Sequence, residues 1–472
     1  VPENQPYRIT ELRITGFRCF FNFSIELHPR LNVILSSNGG GKSSLLDAIG
    51  ILISPYLEAF DDSIMQRIEK KDVRRIRIRH SDLDQMEPYD HVFIQCSGHL
   101  DGAPQMWGEA LRETTEPQVT QWYSLREHGI RVRQDASRQA NHATVTLPVI
   151  AYYKSGRSGR RPNEAPAGAR ENKSRFAAYA GALDASANYH AFEDWFEYLC
   201  KSEFEKQMEA AQEARPSHEN EFTWLIESIR CAIDDCLRLT GWSHIDYKAR
   251  LQDIVVTHEA HGTLRLRDLS DGIRGMIALV GDIAYRATRL NPHLQFSAAR
   301  ESPGIILIDE IDLHLHPEWQ QGVVNDLAKT FPNMQFIVTT HSPDVVSSVS
   351  RECVRRLRWR ASQDELEHYL PQACFDYDGA VLIAEIPDHE TEGEQVSSVA
   401  SDVFGVDAWP DLPIVHDLRR YRSLVDQGLY DGEEALALRE RLIAHYGADH
   451  EELAAAEISI AGQRARRAAQ GA

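Results

Sequence analysis

Over the first third of the chain, apolar and polar positions alternate or gather in short apolar blocks. Tyr7 to Thr15 alternates as a half-buried strand does, Phe23 to Leu27 reads as extended, and Leu31-Asn32-Val33-Ile34-Leu35 reads as a strand buried on both faces. A glycine-rich turn follows. A helix is predicted over Ser43–Ile53, stopping before Pro55 because proline has no N–H for the helical ladder. Residues 73–79, 91–97 and 145–153 read as further strands. The texture changes at Lys154, where a basic, turn-rich stretch runs through Arg157, Arg160, Arg161 and Pro162. Two amphipathic helices come next. Phe192, Trp195, Phe196 and Leu199 share one face of the first, and Phe222, Leu225, Ile226, Ile229 and Ile233 one face of the second. Together they predict an arm of about 45 residues, too short for a sustained coiled coil.

Strand-like sequence returns near Ile245 and leads to a predicted helix over 272–288, a buried strand over 304–309, a helix over 318–330 and a strand over 335–340. An acidic, loop-rich piece from Glu385 to Glu394 precedes three helices, over 413–427, 432–446 and 449–468. The expected division is 1–155 and 244–360 as two lobes of one head, 156–243 as a basic loop and helical arm inserted between them, 361–410 as an acidic connection, and 411–472 as a helical extension.

Composition narrows the function classes. The 472 residues are 42% hydrophobic and 26% charged, enough for a sizeable core. No apolar run approaches a membrane span, and the polar opening Val1-Pro2-Glu3-Asn4-Gln5, without a basic-then-apolar pattern, reads as that of a soluble chain. Seven scattered cysteines without a Cys-x-x-Cys pair argue against a zinc ribbon or a disulfide framework, and the cytoplasm is expected. With 51 basic against 71 acidic residues the net charge is −20, which argues against a surface coated for nucleic acid but permits local basic patches.

The strongest chemical signal is Ser36-Ser37-Asn38-Gly39-Gly40-Gly41-Lys42-Ser43-Ser44, set between a buried strand and a helix. Glycines let backbone N–H groups close around phosphate oxygens, and the helix N-terminus adds favourable charge. Lys42 would reach the β- and γ-phosphates and the Ser43 hydroxyl would ligate Mg²⁺, so the loop calls for ATP with Mg²⁺. Ser36 stands where the general pattern has glycine. Far downstream, Ile305-Ile306-Leu307-Ile308-Asp309-Glu310 is an apolar strand ending in two carboxylates. Asp309 is placed to support Mg²⁺, and Glu310 to polarise an attacking water. His341 ends the next strand, and a strand–helix–strand unit brings both ends to one sheet edge, so His341 is expected near the γ-phosphate. Leu269-Ser270-Asp271-Gly272 opens a helix whose N-terminus could meet a phosphate through Ser270 and the backbone at Gly272.

These motifs, in this order, resemble the ABC-type ATPase heads of the RecF, SMC and OLD class. The resemblance implies an α/β P-loop head with a short helical insertion and a helical C-terminal extension. It also implies that Arg18 in Gly16-Phe17-Arg18-Cys19-Phe20 lies close to nucleotide, that the segment around Ser270 and Gly272 acts on the nucleotide of the opposite subunit, and hence that the chain dimerises over ATP. Asp312 falls in the loop that crosses such an interface. The glutamine that joins the lobes in this class has only Gln66 and Gln95 as candidates. Pro148-Val149-Ile150-Ala151-Tyr152-Tyr153, Leu313-His314-Leu315-His316-Pro317-Glu318-Trp319-Gln320 and Val338-Thr339-Thr340-His341-Ser342-Pro343, with Val403-Phe404-Gly405-Val406 and the helices after it, are similar to the PtuA-type ATPases of Septu and retron-linked antiphage systems. That likeness implies a separate HNH nuclease of PtuB type as partner, and possible contact with DNA or retron nucleic acid.

Other signals count for less. His314, His316 and Asp312 lack further nearby ligands for zinc. Ala380 to Glu385 has the look of an acidic nuclease strand, but no Asp-x-Asp strand follows. Arg74, Arg77 and Arg79, or Arg157, Arg160 and Arg161, could contact nucleic-acid phosphates, with solvated faces as the alternative. Apolar Leu412, Val415, Leu418, Leu424 and Leu436 could form a partner-binding surface or pack on one another. Two other readings stay open: a RecF-like clamp that binds DNA directly, and a binding module that does not hydrolyse ATP.

Overall fold

The computed structural model of the chain describes residues 6–60, 66–80, 83–89, 91–112, 118–121, 125–138, 145–155, 174–183, 185–212, 221–360, 381–407 and 409–470. The basic loop with Arg157, Arg160 and Arg161 lies outside them, as do the side chains of Arg77 and Arg79. Two compact units divide the chain between Val399 and Ala400.

The first unit is built on a six-stranded sheet in the order Val381–Glu385, Val354–Arg360, Leu31–Leu35, Met334–Thr340, Gly304–Ile308, Val149–Tyr153. All neighbours are parallel except the outer Val354–Arg360 and Val381–Glu385 pair. The four strands from Leu31–Leu35 to Val149–Tyr153 are buried at every position, which is why they read as largely apolar runs. A second, antiparallel sheet takes the order Phe20–Glu26, Arg8–Phe17, His91–Leu100, Ala103–Arg112, Gln118–Gln121. Gln335, fully buried in the parallel sheet, joins the two: its carboxamide accepts from Ile9 N at 2.8 Å and donates to Ile9 O at 2.7 Å and His28 O at 3.0 Å. No helix among the described residues is long and apolar enough to cross a membrane.

Three expectations change. The helix after the glycine-rich turn runs Lys42–Glu58 and carries Pro55 inside it. Leu45, Leu46 and every residue from Ala48 to Leu57 are buried, and that burial outweighs the one backbone hydrogen bond proline removes. The helix expected over 318–330 breaks into Pro317–Gln320 and Val323–Thr330. The predicted arm, Ala185–Gln212 and Glu221–Leu237, is not free: it packs on the Asp271–Leu290 helix. Phe192 is fully buried there, and a Cβ on Gly281 would come within 2.0 Å of its ring. Trp195 stacks on Tyr285 with centroids 4.0 Å apart. The end of the first helix, with Phe204 and Met208, stands exposed, as does Tyr198.

The second unit contains Pro413–Asp426, Glu433–Tyr446 and Glu451–Gln470, close to the predicted bounds. Val415, Leu418 and Leu424 are buried, Leu418 and Leu424 among Tyr421, Leu438, Leu442 and Leu453, and are therefore core and not partner surface. Leu412 and Leu436 remain exposed, at 49% and 53%.

Candidate nucleotide-binding site

The strand Leu31–Leu35 delivers the chain into Ser36–Gly41, and the helix begins at Lys42. The loop's left-handed turns fall at Gly39 (φ 74°) and Gly41 (φ 90°), where glycine is free of the Cβ penalty. Gly40 is required for another reason. A Cβ there would lie 2.3 Å from Ser36 Oγ and 2.9 Å from Ser37 O. Ser36 has an ordinary backbone and its hydroxyl donates to Ser37 O at 3.0 Å, so the serine fits where glycine is usual. Asn38 and Gly39 are exposed at the loop's tip. The N–H groups of Lys42, Ser43 and Ser44 form the open first turn of the helix, the geometry that suits an anion.

Lys42 is buried and its ammonium donates to Ser36 O at 3.0 Å. Burial pushes its pKa down, while Asp309, Glu310 and Asp312 oppose that shift. Those three carboxylates, far away in sequence, therefore share the electrostatic environment of the loop.

Ser43 Oγ donates to Asp309 Oδ2 at 2.8 Å. Asp309 is buried at the end of the Gly304–Ile308 strand, with its N–H bonded to Tyr153 O at 2.7 Å. Glu310 is only half-buried and adopts a left-handed backbone (φ 51°). This is a strained conformation for a non-glycine residue, of the kind found at functional sites. Its N–H donates to Thr339 Oγ1 at 2.7 Å, and the same hydroxyl donates to Asp309 Oδ1 at 2.5 Å. Hydroxyl and carboxylate oxygens are the hard donors that Mg²⁺ takes. Among the described residues no group of three His, Cys, Asp or Glu side chains could hold an ion alone, so phosphate oxygens and water would complete the shell at Ser43 and Asp309.

His341 is exposed just beyond the Met334–Thr340 strand. Asp312 Oδ1 accepts from Thr340 Oγ1 at 2.6 Å and from His341 N at 3.3 Å, tying the loop after the acidic pair to the histidine. Gln320 locks that loop further: it donates to Leu315 O at 2.8 Å and accepts from Ser342 Oγ at 2.6 Å. Gly272 meets the same loop, and a Cβ there would lie 2.3 Å from His314 O. Ser270 is exposed at the N-terminus of Asp271–Leu290, and its side chain makes no capping bond. Gly272 thus packs against the loop at 312–315, with Ser270 two residues before it.

Arg18 (φ 48°) sits in the turn between the first two strands, its guanidinium held by Asp47 at 2.6 Å and Asp72 at 2.9 Å. Cys19 beside it faces Gly41: its Sγ lies 2.7 Å from where a Cβ on Gly41 would stand. Gln66 gives its amide to Leu183 O at 3.1 Å, and its Oε1 lies 3.1 Å from where a Cβ on Gly50, two turns along the helix from Ser43, would stand; Gln95 stands in the antiparallel sheet opposite Gly108. Arg74 corrects an expectation. It is buried, with its guanidinium donating to Cys19 O and Arg18 O, and so braces the turn instead of facing a phosphate backbone.

Sequence reasoning missed Thr339 and Gln320. The signal for Thr339 was a pair of threonines closing a fully buried strand, where each hydroxyl must find a partner.

An AAA domain family matches residues 11–223, and a second, described as "AAA domain, putative AbiEii toxin, Type IV TA system", matches residues 239–347. The "Retron Ec83 probable ATPase" of Escherichia coli is 24% identical, covering 97% of this chain and 87% of its own length. The "Retron Vc95 probable ATPase" of Vibrio cholerae serotype O1 biovar El Tor is 26% identical, covering 94% and 88%. The "Septu protein PtuA" of Bacillus thuringiensis is 23% identical, covering 89% of each. The chain is a homologue of the retron and Septu ATPases. It carries a P-loop ATPase head matched by AAA domain models, followed by C-terminal helices. The SMC head domain from Thermotoga maritima aligns over 81% of this chain and 100% of its own, at 14% identity and a TM-score of 0.42.

Proposed function

We propose that the chain binds Mg²⁺-ATP in the Ser36–Ser44 loop, hydrolyses it in a homodimer closed over nucleotide, and uses that cycle to govern a partner nuclease of HNH type in antiphage defence. The observation that carries the reading is the 2.8 Å bond from Ser43 to Asp309, which joins the loop to the acidic strand. Bound Mg²⁺ would neutralise charge on the β- and γ-phosphates. Gly39, Gly40, Gly41, Lys42, Ser43 and Ser44 would cradle the phosphates through backbone N–H groups, with Asn38 at the rim. Lys42 would exchange the Ser36 carbonyl for a phosphate oxygen. Glu310, half-open beside the buried Asp309, would take the proton of the attacking water, and His341 would meet the γ-phosphate. Ser270 and Gly272 would complete the partner subunit's site, and Arg18 would brace the nucleotide side of the turn. Exposed Leu412 and Leu436 on the C-terminal helices are the proposed start of the nuclease contact. A clamp acting directly on DNA has less support, because Arg74 is withdrawn into the protein.

The test is affinity purification of a tagged Glu310→Gln chain from its host with ATP and Mg²⁺, with and without residues 411–472. A nuclease recovered with the full chain and lost with the deletion is the expected result. Recovery of DNA alone, indifferent to the deletion, would replace the nuclease switch by the DNA clamp.

A further inference from the structure

We propose that Trp359 is the platform on which the base of the bound nucleotide stacks, so that the hairpin at the edge of the parallel sheet recognises a nucleoside triphosphate and not merely a polyphosphate. The proposal rests on the ATP-binding reading and adds a base subsite to it.

The register of the sheet places the residue. Val354, Arg355 and Arg356 pair with Val33, Ile34 and Leu35, so Trp359 lies three residues, about 10 Å, past the level where the phosphate-loop strand ends. That is the level at which the chain turns into Ser36–Gly41. Trp359 pairs directly with Leu382 on the returning strand, and directly opposed residues point to the same face. Leu382 identifies that face. Its Cδ2 lies 3.2 Å from where a Cβ on Gly41 would stand, beside Cys19 and Phe20. The face that bears Trp359 is therefore the one laid against the phosphate loop.

Direction along the nucleotide points the same way. The Leu31–Leu35 strand has Met334–Thr340 on one side and Val354–Arg360 on the other. Thr339, His341 and, one strand further, Asp309 and Glu310 all lie on the first side. A triphosphate with its terminal phosphate at Glu310 and His341 runs its other end across the loop, toward the hairpin. Leu357 and Leu382 on that face are buried, whereas Trp359 is 41% exposed. The opposite face explains how an exposed tryptophan keeps its place. Arg356, Arg358 and Arg360 converge on Glu385 at 3.4, 3.7 and 2.9 Å and bind the two strands together. Indole offers a broad π-face, and stacking accepts any base.

The experiment measures equilibrium binding of ATP and of inorganic tripolyphosphate, each with Mg²⁺, to wild type, Trp359→Ala, Trp359→Phe and Lys42→Ala. Trp359→Ala should weaken ATP about ten-fold and leave tripolyphosphate unchanged, with Trp359→Phe close to wild type. Lys42→Ala should weaken both ligands. Unchanged ATP affinity in Trp359→Ala, or equal weakening of ATP and tripolyphosphate, would overturn the base platform while leaving the ATP site standing. A wild-type chain that binds neither ligand would remove the ATP reading and this inference together.

Discussion

The hydroxyl of Thr339 donates to Asp309 Oδ1 at 2.5 Å while accepting the Glu310 N–H at 2.7 Å. One side chain on a neighbouring strand thus orients the buried carboxylate and holds the next residue in its left-handed backbone. Asp309 consequently has a hydroxyl on each oxygen, Thr339 on one and Ser43 on the other.

Thr339→Val keeps the shape and deletes the hydroxyl, leaving a buried carboxylate oxygen and an N–H each short of a partner. ATP turnover should fall about 10- to 100-fold, the equivalent of a hydrogen bond to a charged group. Nucleotide affinity should change little, and Thr339→Ser should restore most of the rate. Equal losses in the valine and serine variants would assign Thr339 to packing alone.

Gly272 touches the loop that is tied to His341, since a Cβ would stand 2.3 Å from His314 O and Asp312 in that loop bonds the His341 N–H. Gly272→Ala must push the loop outward. The expected result is turnover reduced by about 100-fold with ATP binding by the single chain preserved. Steady-state hydrolysis compared with equilibrium binding separates the two, and an unimpaired rate would show that the loop's position is not critical.

Arg286 and Asp282 form a buried ion pair on the Asp271–Leu290 helix, Nε to Oδ2 at 2.7 Å. Tyr153 adds its hydroxyl to the same oxygen at 2.7 Å, and Ala180 O accepts from Arg286 Nη1 at 3.2 Å. Replacing Arg286 by Met strands the carboxylate, and unfolding free energy should drop by about 3–5 kcal/mol. Adding Asp282→Leu should recover much of that loss in thermal or denaturant melts.

Asp47 accepts from Arg18 at 2.6 Å, Tyr152 at 3.0 Å and Lys154 at 3.1 Å. Burial pushes its carboxyl up, but the bonds and charges of Arg18 and Lys154 outweigh burial and hold it below the ordinary value of 3.8. With the folded pKa below the unfolded one, the cluster contributes fully above the unfolded value and is lost as pH falls through the folded value. Asp47→Asn should cost about 1 kcal/mol at neutral pH and flatten the acid limb of stability below about pH 4. Denaturant midpoints across that range decide it, and an unchanged acid limb would rule the cluster out as its source.

Much of the head was legible in sequence because its chemistry sits in contiguous runs between apolar blocks. Leu31 to Ser44 spells strand, glycine turn and helix in one stretch, and Ile305 to Glu310 spells a buried strand with its acids at the end. Periodicity likewise marked the C-terminal helices to within a few residues. It reports that a face is covered and not by what. The arm helices and the leucines Leu418 and Leu424 therefore found their partners only in the folded chain.

What the sequence determined by itself was local: which segments form strands and helices, and which short runs can hold phosphate, ion and water. The tertiary structure decided everything that depends on residues distant along the chain. It brought Ser43 to Asp309, set Thr339 between the Asp309 carboxylate and the Glu310 N–H, withdrew Arg74 beneath the Arg18 turn, and kept Pro55 inside a helix. The physical reason is that backbone propensities act over a few neighbouring residues, whereas burial and hydrogen-bond satisfaction are settled by whichever groups the sheets bring within reach.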